Sequence, residues 1–302
     1  MEKASLRSPE VALPGFFFFF SIVSTYLRMH YIVIAEFFRV YDANMPEDLF
    51  RRLITTITNS VKSSNPSTRA NAVALFKVVL GRSLGESNEE HCVNEILLPI
   101  KAGKTNGADH RQALYSMLTT IAPSPIVSKV LTENAPSLLS KEPNDEAVAM
   151  LASSLVSHFV YQLKSDMSIP QAASSLIAKE MCGTKLALRK SMCLLAGGIL
   201  YDCADSKTTA FESFIEAVLP ALENNLKAVL LNPHSSPNGP LEGYIALTSL
   251  LNIISLYPRF GSFLLCYLIT LRFPNLFFLS FCIYRYFDVS KHCASIYREL
   301  SI

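Results

Sequence analysis

The feature that most constrains this chain is a two-helix pattern that repeats along its middle. From residue 46 to residue 261, apolar side chains recur at spacings of three and four, the period of an amphipathic α-helix. Turns rich in Gly, Pro, Asn and Ser separate the helical segments. The segments pair into five predicted helical hairpins: 49–61 with 67–80, 93–103 with 110–122, 126–140 with 146–163, 169–181 with 186–204, and 210–231 with 241–257.

Two details recur at a period near 40 residues, which is typical of two-helix solenoid repeats. A proline lies inside or near the end of several first helices, at Pro99, Pro136 and Pro220. An arginine lies near the start of several second helices, at Arg69, Arg111 and Arg189. One hairpin cannot bury its apolar face alone, so neighbouring hairpins must stack. The pattern predicts an all-α fold, an α-solenoid of HEAT-type helical hairpins, and its lack of period-two alternation disfavours a βαβ fold.

Hydrophobic flanks, residues 15–41 and 262–287, interrupt this pattern at both ends. We therefore predict three regions: a disrupted first repeat with a hydrophobic insertion at 1–45, the solenoid at 46–261, and an atypical hydrophobic carboxy-terminal tail at 262–302. One hypothesis is a membrane-anchored helical protein whose flanks are membrane spans. Charged or helix-breaking residues stand inside both candidate spans, namely Arg28 and His30 in the first and Arg272 and Pro274 in the second.

A second hypothesis explains the flanks as translated intron sequence. The amino flank contains five consecutive phenylalanines, Phe16 to Phe20, and phenylalanine codons are rich in pyrimidines, as introns often are. Both hypotheses remain open at the level of the sequence.

Charge and cysteine content narrow the classes of function. The formal net charge is +2, which gives no global field that would attract a polyanion, so we predict no direct binding to DNA. Seven cysteines are scattered without a CxxC pair, which is typical of reduced thiols in a cytosolic protein. We expect a cytoplasmic protein with no cofactor and no small-molecule substrate.

One motif invites a nucleotide-binding interpretation. Gly103, Lys104 and Thr105 form the closing triplet of a phosphate-binding loop. That loop needs a glycine five positions earlier, where Leu98 stands, and a preceding strand rather than a helix. We interpret the stretch as a turn in which Gly103 and Gly107 provide unusual backbone conformations, followed by a helix capped by Asp109.

No constellation of catalytic or metal-binding residues emerges. The adjacent pairs His91 with Cys92 and His292 with Cys293 each lack a second nearby pair of ligands, and no serine stands in a nucleophile elbow. We predict no catalytic, cofactor-binding or metal-binding residue and no enzyme activity. Cys182, Cys193 and Cys203 are expected to be small buried thiols of the helical core, and Gly197 with Gly198 are expected to permit close helix packing.

Extended runs of the sequence resemble a known family. They include "FRRLITTITNSVKSSNPSTRANAVALFKVVL", "VNEILLPIKAGKTNGADHRQALYSMLTTIAPSP" and "LSKEPNDEAVAMLASSLV", and the resemblance covers residues 2–14 and about 46–261. The chain resembles the amino-terminal HEAT-repeat region of the fungal general amino-acid control translational activator. That resemblance implies a cytoplasmic scaffold for ribosomes and translation-regulatory proteins, in a family that helps to activate the kinase of initiation factor two alpha. The kinase-contacting region of the family is expected to be missing from this chain.

Exposed cations at the hairpin turns are the predicted partner-binding residues. They are Lys62, Lys101, Lys104, Lys185 and Lys190. We expect Arg69, Arg111 and Arg189 to be structural instead, each bonding the preceding turn of its own repeat.

Overall fold

The protein is all-helical throughout the part of the chain that the structure, a computed structural model, describes: Ala35 and residues 47–81, 86–231 and 241–257. Within these ranges the ten complete helices are α1 (Glu47–Ser60), α2 (Pro66–Leu80), α3 (Glu86–Lys101), α4 (Ala108–Leu118), α5 (Pro125–Lys141), α6 (Asp145–Lys164), α7 (Gln171–Glu180), α8 (Leu186–Asp202), α9 (Thr209–Leu231) and α10 (Leu241–Leu256). They form the five predicted hairpins in order, hairpin 1 being α1 with α2 and hairpin 5 being α9 with α10.

Stacking of the hairpins produces two helix layers. The first helices contact one another in sequence from α1 through α3, α5 and α7 to α9. The second helices do the same from α2 through α4 and α6 to α8. Hairpins 2 to 4 thus pack against the hairpins before and after them, and this stacking buries their apolar faces. The predicted α-solenoid is confirmed.

Local signals place most helix ends where the sequence predicts them. Asn65 and Asn144 cap α2 and α6, each accepting a hydrogen bond from a backbone amide of the first turn. Helix α3 differs, because it begins at Glu86, seven residues before the predicted start at Val93. Its first turns carry the polar run "ESNEEHC", so apolar periodicity could not reveal them.

The core lies between the two layers. Its fully buried large side chains include Phe50, Phe76, Tyr115, Phe159 and Phe211. Burial of each such aromatic contributes roughly 1.5 to 3 kcal/mol relative to exposure. The three prolines lie inside first helices as predicted, Pro99 in α3, Pro136 in α5 and Pro220 in α9.

The chain divides into two compact units, residues 1–252 and 253–302. Of the second unit, the structure describes residues 253–257, the end of α10 and one residue beyond it. The hydrophobic flanks at 15–41 and 262–287 lie outside the described residues, so the region boundaries, the membrane spans and the intron origin stay predictions. Among the helices that are described, none has the length and apolar content needed to cross a membrane.

Candidate functional site

The candidate site is the edge formed by the turns inside the hairpins. We call it the turn edge and define it as residues 61–65, 101–107, 141–144 and 181–185 together with the first two turns of each helix that follows. The five predicted lysines are all on this edge and all exposed. Lys101 ends α3, Lys185 precedes α8, and Lys190 lies in the second turn of α8. None of the five forms an ion pair with a described residue.

The turns of hairpins 1 and 2 are in direct contact. The side-chain amide of Asn106 donates to the carbonyl oxygen of Lys62 at 3.2 Å. The Lys62 ammonium donates to Asn59 Oδ1 at 2.7 Å, which holds it near this junction. A cavity of about 350 Å³ lies here, lined by Lys62, Arg69 and the start of α4. The turns of hairpins 1 and 2 therefore adjoin at this edge, next to the hairpin-1 cations Lys62 and Arg69.

Arg69 is committed to the structure of this junction. Its guanidinium donates to the carbonyl oxygens of Ser63 and Ser64, each at 2.9 Å, and to Asp109 Oδ2 at 2.6 Å. The predicted bond to the preceding turn is confirmed. The predicted capping role of Asp109 is wrong, because Gly107 is the N-cap of α4 and Asp109 lies in the first turn, where its carboxylate receives Arg69.

Arg111 reaches forward instead of back. Its Nε lies 3.0 and 2.9 Å from the two carboxylate oxygens of Glu142, in the turn of hairpin 3. The Tyr115 hydroxyl and the Asn144 backbone amide also donate to Glu142, at 2.9 and 3.1 Å. Burial, and then the Glu142 charge, raise the pKa of Tyr115, so the phenol stays protonated and remains a donor. In the preceding turn, Arg111 reaches only the hydroxyl of Thr105, at 3.5 Å. The predicted structural role of Arg111 is therefore confirmed, but the predicted main partner, the preceding turn, is wrong.

Arg189 makes the same forward connection between hairpins 4 and 5. Its Nε and one Nη donate to the two oxygens of Glu242 at 2.6 and 2.7 Å, a bidentate pair. It also donates to Asn225 Oδ1 at 3.2 Å, and Asn225 donates in turn to the carbonyl oxygen of Met181 at 3.0 Å. The predicted structural role is confirmed, again with its principal partner in the following hairpin.

The thiols in the described part of the chain are poor nucleophiles. Cys92, Cys193 and Cys203 are buried, and burial raises the pKa of each to about 12. The predicted burial of Cys182 is wrong, because this residue lies in the turn after α7 and is exposed; partial desolvation still raises its pKa. A thiol with a raised pKa carries little of the reactive thiolate at neutral pH. The remaining cysteines, Cys266, Cys282 and Cys293, lie outside the described residues.

The other sequence motifs take the expected positions. The triplet Gly103 to Thr105 follows the end of α3, with Gly103 at φ 63° and Gly107 at φ 90°, so the turn interpretation is confirmed. Within the described ranges, no three His, Cys, Asp or Glu side chains converge as metal ligands, and the pair His292 with Cys293 lies outside them.

Sequence analysis missed the buried carboxylates Glu142 and Glu242 as partners of the arginines. Glu142 follows Arg111 by 31 residues, whereas Glu242 follows Arg189 by 53. A longer first helix, α9, and a larger number of residues between α9 and α10 separate the second pair in the sequence, so no constant spacing could reveal both. A weaker signal was available, because each glutamate stands at or near the start of a second helix.

Comparisons with known proteins give one match. Neither a curated protein nor a solved structure matches the chain. A family model described as General control nonderepressible 1 (Gcn1) N-terminal matches residues 108–263, slightly more than half of the chain. The matched segment begins at α4, so it includes Lys185 and Lys190 but not Lys62, Lys101 or Lys104. A match of this kind indicates a Gcn1-like translational-control scaffold, a non-catalytic type of region. The chain belongs to the Gcn1 N-terminal family.

Proposed function

We propose that this chain is a non-catalytic scaffold that binds ribosomes and translation-regulatory proteins in the cytoplasm through the lysines of its turn edge. The observation that carries the proposal is a difference between the arginines and the lysines of that edge. Arg69, Arg111 and Arg189 are held by carboxylates and carbonyl oxygens, whereas the five lysines extend from the same turns without an ion-pair partner among the described residues. Cations that do not stabilise the fold are available for a partner.

The type of cation supports a partner rich in phosphate or carboxylate. A lysine ammonium is a compact, strongly hydrated charge on a flexible stem, which adapts to irregular anionic surfaces. Ribosomal RNA presents such a surface at high density, and each phosphate contact adds to the salt dependence of binding. Binding through lysines should therefore weaken steeply as salt rises. We propose that this segment contributes ribosome engagement to the family's regulation of the initiation factor two alpha kinase, and not the kinase contact.

Co-sedimentation of the full chain with ribosomes at increasing salt tests the proposal. The chain is expected to sediment with ribosomes at low salt and to be released as salt rises. The triple variant Lys62→Glu, Lys104→Glu, Lys185→Glu is expected to lose binding. The matched control Lys77→Glu, Lys129→Glu, Lys207→Glu makes the same change of net charge at exposed positions away from the turn edge, and it is expected to bind nearly as the parent does.

Two results would count against direct contact through this edge. Failure of the parent chain to co-sediment even at low salt would remove ribosome binding. Equal losses in the triple variant and its control would show that general charge, rather than the turn edge, supports the interaction.

A further inference from the structure

Four large apolar side chains remain exposed on the second helices of hairpins 4 and 5. We call them the apolar stripe: Leu186, Leu194 and Tyr201 on α8, and Tyr244 on α10. Each is between 47% and 73% exposed. The three on α8 are eight and seven residues apart, which places them within an arc of roughly 80° on one helix face. Clustered exposure of this kind on a folded domain marks an interaction surface more often than scattered single residues do.

The packing of α10 against α8 brings the helix that carries Tyr244 beside the three stripe residues of α8. Gly197 lies between Leu194 and Tyr201 along α8 and is half-buried. A Cβ atom at Gly197 would lie 2.9 Å from Ile245 Cγ2, so α10 touches α8 at this point. Tyr244 directly precedes Ile245. The pair Arg189 with Glu242 also joins the start of α10 to α8.

The charge around the stripe indicates the chemistry of its occupant. Lys190 is exposed between Leu186 and Leu194 on the same face, and Lys185 is exposed one residue before α8. The carboxylate of Glu242, at the start of α10, is buried and accepts hydrogen bonds from Arg189. The amino-terminal half of the stripe is therefore apolar and basic, whereas the exposed Asp202 follows Tyr201 at its other end.

We propose that the apolar stripe docks an amphipathic helix of a partner protein, whose apolar side chains cover the leucines and tyrosines and whose acidic side chains face Lys185 and Lys190. Leucines spaced along a helix fit the helix-in-groove mode of recognition. They contribute nothing to phosphate binding, so this surface suits a protein rather than the RNA backbone. This inference rests on the proposed scaffold function. It specifies that the part of the turn edge that carries Lys185 and Lys190 binds an acidic helix of a partner protein.

A pair of designed peptides provides the probe. Both are helices of about 18 residues with leucines at i, i+3 and i+7. One carries glutamate at its remaining charged positions and the other carries lysine. Binding of each labelled peptide to the full chain is measured by fluorescence anisotropy. The glutamate peptide is expected to bind about tenfold more tightly than the lysine peptide, a difference of about 1.4 kcal/mol.

Variants locate the binding surface. The double variant Leu194→Gln, Tyr201→Gln is expected to weaken binding of the glutamate peptide at least about tenfold, because exposed aromatics and their neighbours concentrate binding energy. The matched control Leu98→Gln removes a comparably exposed leucine on α3 and is expected to leave binding unchanged. Lys190→Glu is expected to reverse the preference between the two peptides. Circular dichroism establishes that each variant is folded.

Several outcomes would overturn the inference. They are absence of binding by the glutamate peptide, an equal effect of Leu98→Gln, and an unchanged peptide preference in Lys190→Glu. Concentration-dependent self-association that the double variant abolishes would show that a second copy of the chain is the occupant.

The ribosome assay separates this inference from the proposed function. Loss of ribosome binding in a chain that still binds the glutamate peptide removes ribosome contact and retains the stripe as a protein site. Ribosome binding without peptide binding does the reverse.

Discussion

An arginine–carboxylate ion pair joins hairpin 1 to hairpin 2, and a second such pair joins hairpin 4 to hairpin 5. The two pairs differ in their exposure to solvent. In each, an arginine in the first turns of a second helix reaches a carboxylate of the next hairpin. The side chain of Asp109 is 67% exposed, whereas that of Glu242 is 1% exposed. An exposed pair contributes about 0 to 1 kcal/mol because water screens it, whereas breaking a buried pair leaves an unsatisfied charge. Arginines at the same position of two repeats can therefore contribute different amounts to the stability of the fold, because the burial of their carboxylate partners differs.

The largest expected effect comes from breaking the buried pair. Glu242→Ala leaves the Arg189 guanidinium without its bidentate partner, so we expect a loss of about 3 to 5 kcal/mol in the free energy of unfolding. Urea denaturation of the full chain, followed by circular dichroism, measures it. The double replacement Arg189→Met, Glu242→Leu removes both charges and is expected to recover much of the loss. A loss below about 1 kcal/mol for Glu242→Ala would show that burial does not distinguish the two junctions.

The second largest effect is expected from lowering the pH, which should destabilise the fold through the buried side chain of His158. His158 is fully buried in α6, with its Nδ1 3.2 Å from Ser128 Oγ, and burial lowers its pKa to about 4. The unfolded chain takes up this proton near pH 6.5 and the folded chain only near pH 4. Stability is therefore full above pH 6.5 and falls between pH 6.5 and 4, by up to about 3 kcal/mol.

The variant His158→Gln removes the imidazole that takes up this proton, so it shows how much of the pH dependence of stability comes from His158. Urea midpoints measured from pH 7 to pH 4 are expected to fall less steeply in the variant than in the parent chain. Some slope is expected to remain, because burial and the neighbouring cations, Lys62 first among them, also lower the pKa of His110. Identical slopes in parent and variant would contradict the assignment to His158.

Close helix packing at the junction of hairpins 4 and 5 predicts a smaller loss. In Gly197→Val the new Cβ atom would lie 2.9 Å from Ile245 Cγ2, so we expect destabilisation by about 1 to 3 kcal/mol. Gly81→Val is the matched control at the end of α2 in hairpin 1, where a Cβ atom would meet only ordinary contacts at 3.6 Å. Its effect is expected within about 0.5 kcal/mol. Thermal unfolding of both variants measures the difference. Equal decreases in their unfolding temperatures would contradict the prediction.

The smallest expected effect belongs to the exposed pair. Asp109→Ala removes the carboxylate from Arg69, which keeps its two carbonyl partners, Ser63 and Ser64. We expect a loss of about 0 to 1 kcal/mol that shrinks further in high salt. Urea denaturation at low and high salt measures it. A salt-independent loss as large as that of Glu242→Ala would erase the distinction between the junctions.

Much of the fold could be predicted because it depends on local patterns. The five hairpins follow from apolar spacing, the turn at Gly103 and Gly107 follows from residues that accept positive φ, and the prolines lie in the expected first helices. The start of α3 could not be predicted, since a polar first turn carries no apolar signal. Gly197 and Gly198 were correctly expected at close contacts, which are with Ile245 and Val156, but the sequence did not name those partners.

The candidate site divides in the same way. Lysines at predicted turns are exposed because turns lie at the surface, so their positions could be read directly from the sequence. The partners of the arginines, and the apolar stripe, depend on which helix lies beside which.

The sequence by itself determined the number, order and pairing of the helices and the exposed cations, because a helical period and a turn composition are properties of neighbouring residues. Only the tertiary structure decided that Arg111 and Arg189 reach forward to buried glutamates, that Asp109 accepts a hydrogen bond from Arg69 rather than capping its helix, and that the helix carrying Tyr244 packs against α8. Stacking brings together residues that are 31 to 53 positions apart in the chain, and the burial it creates sets the energy of their contacts.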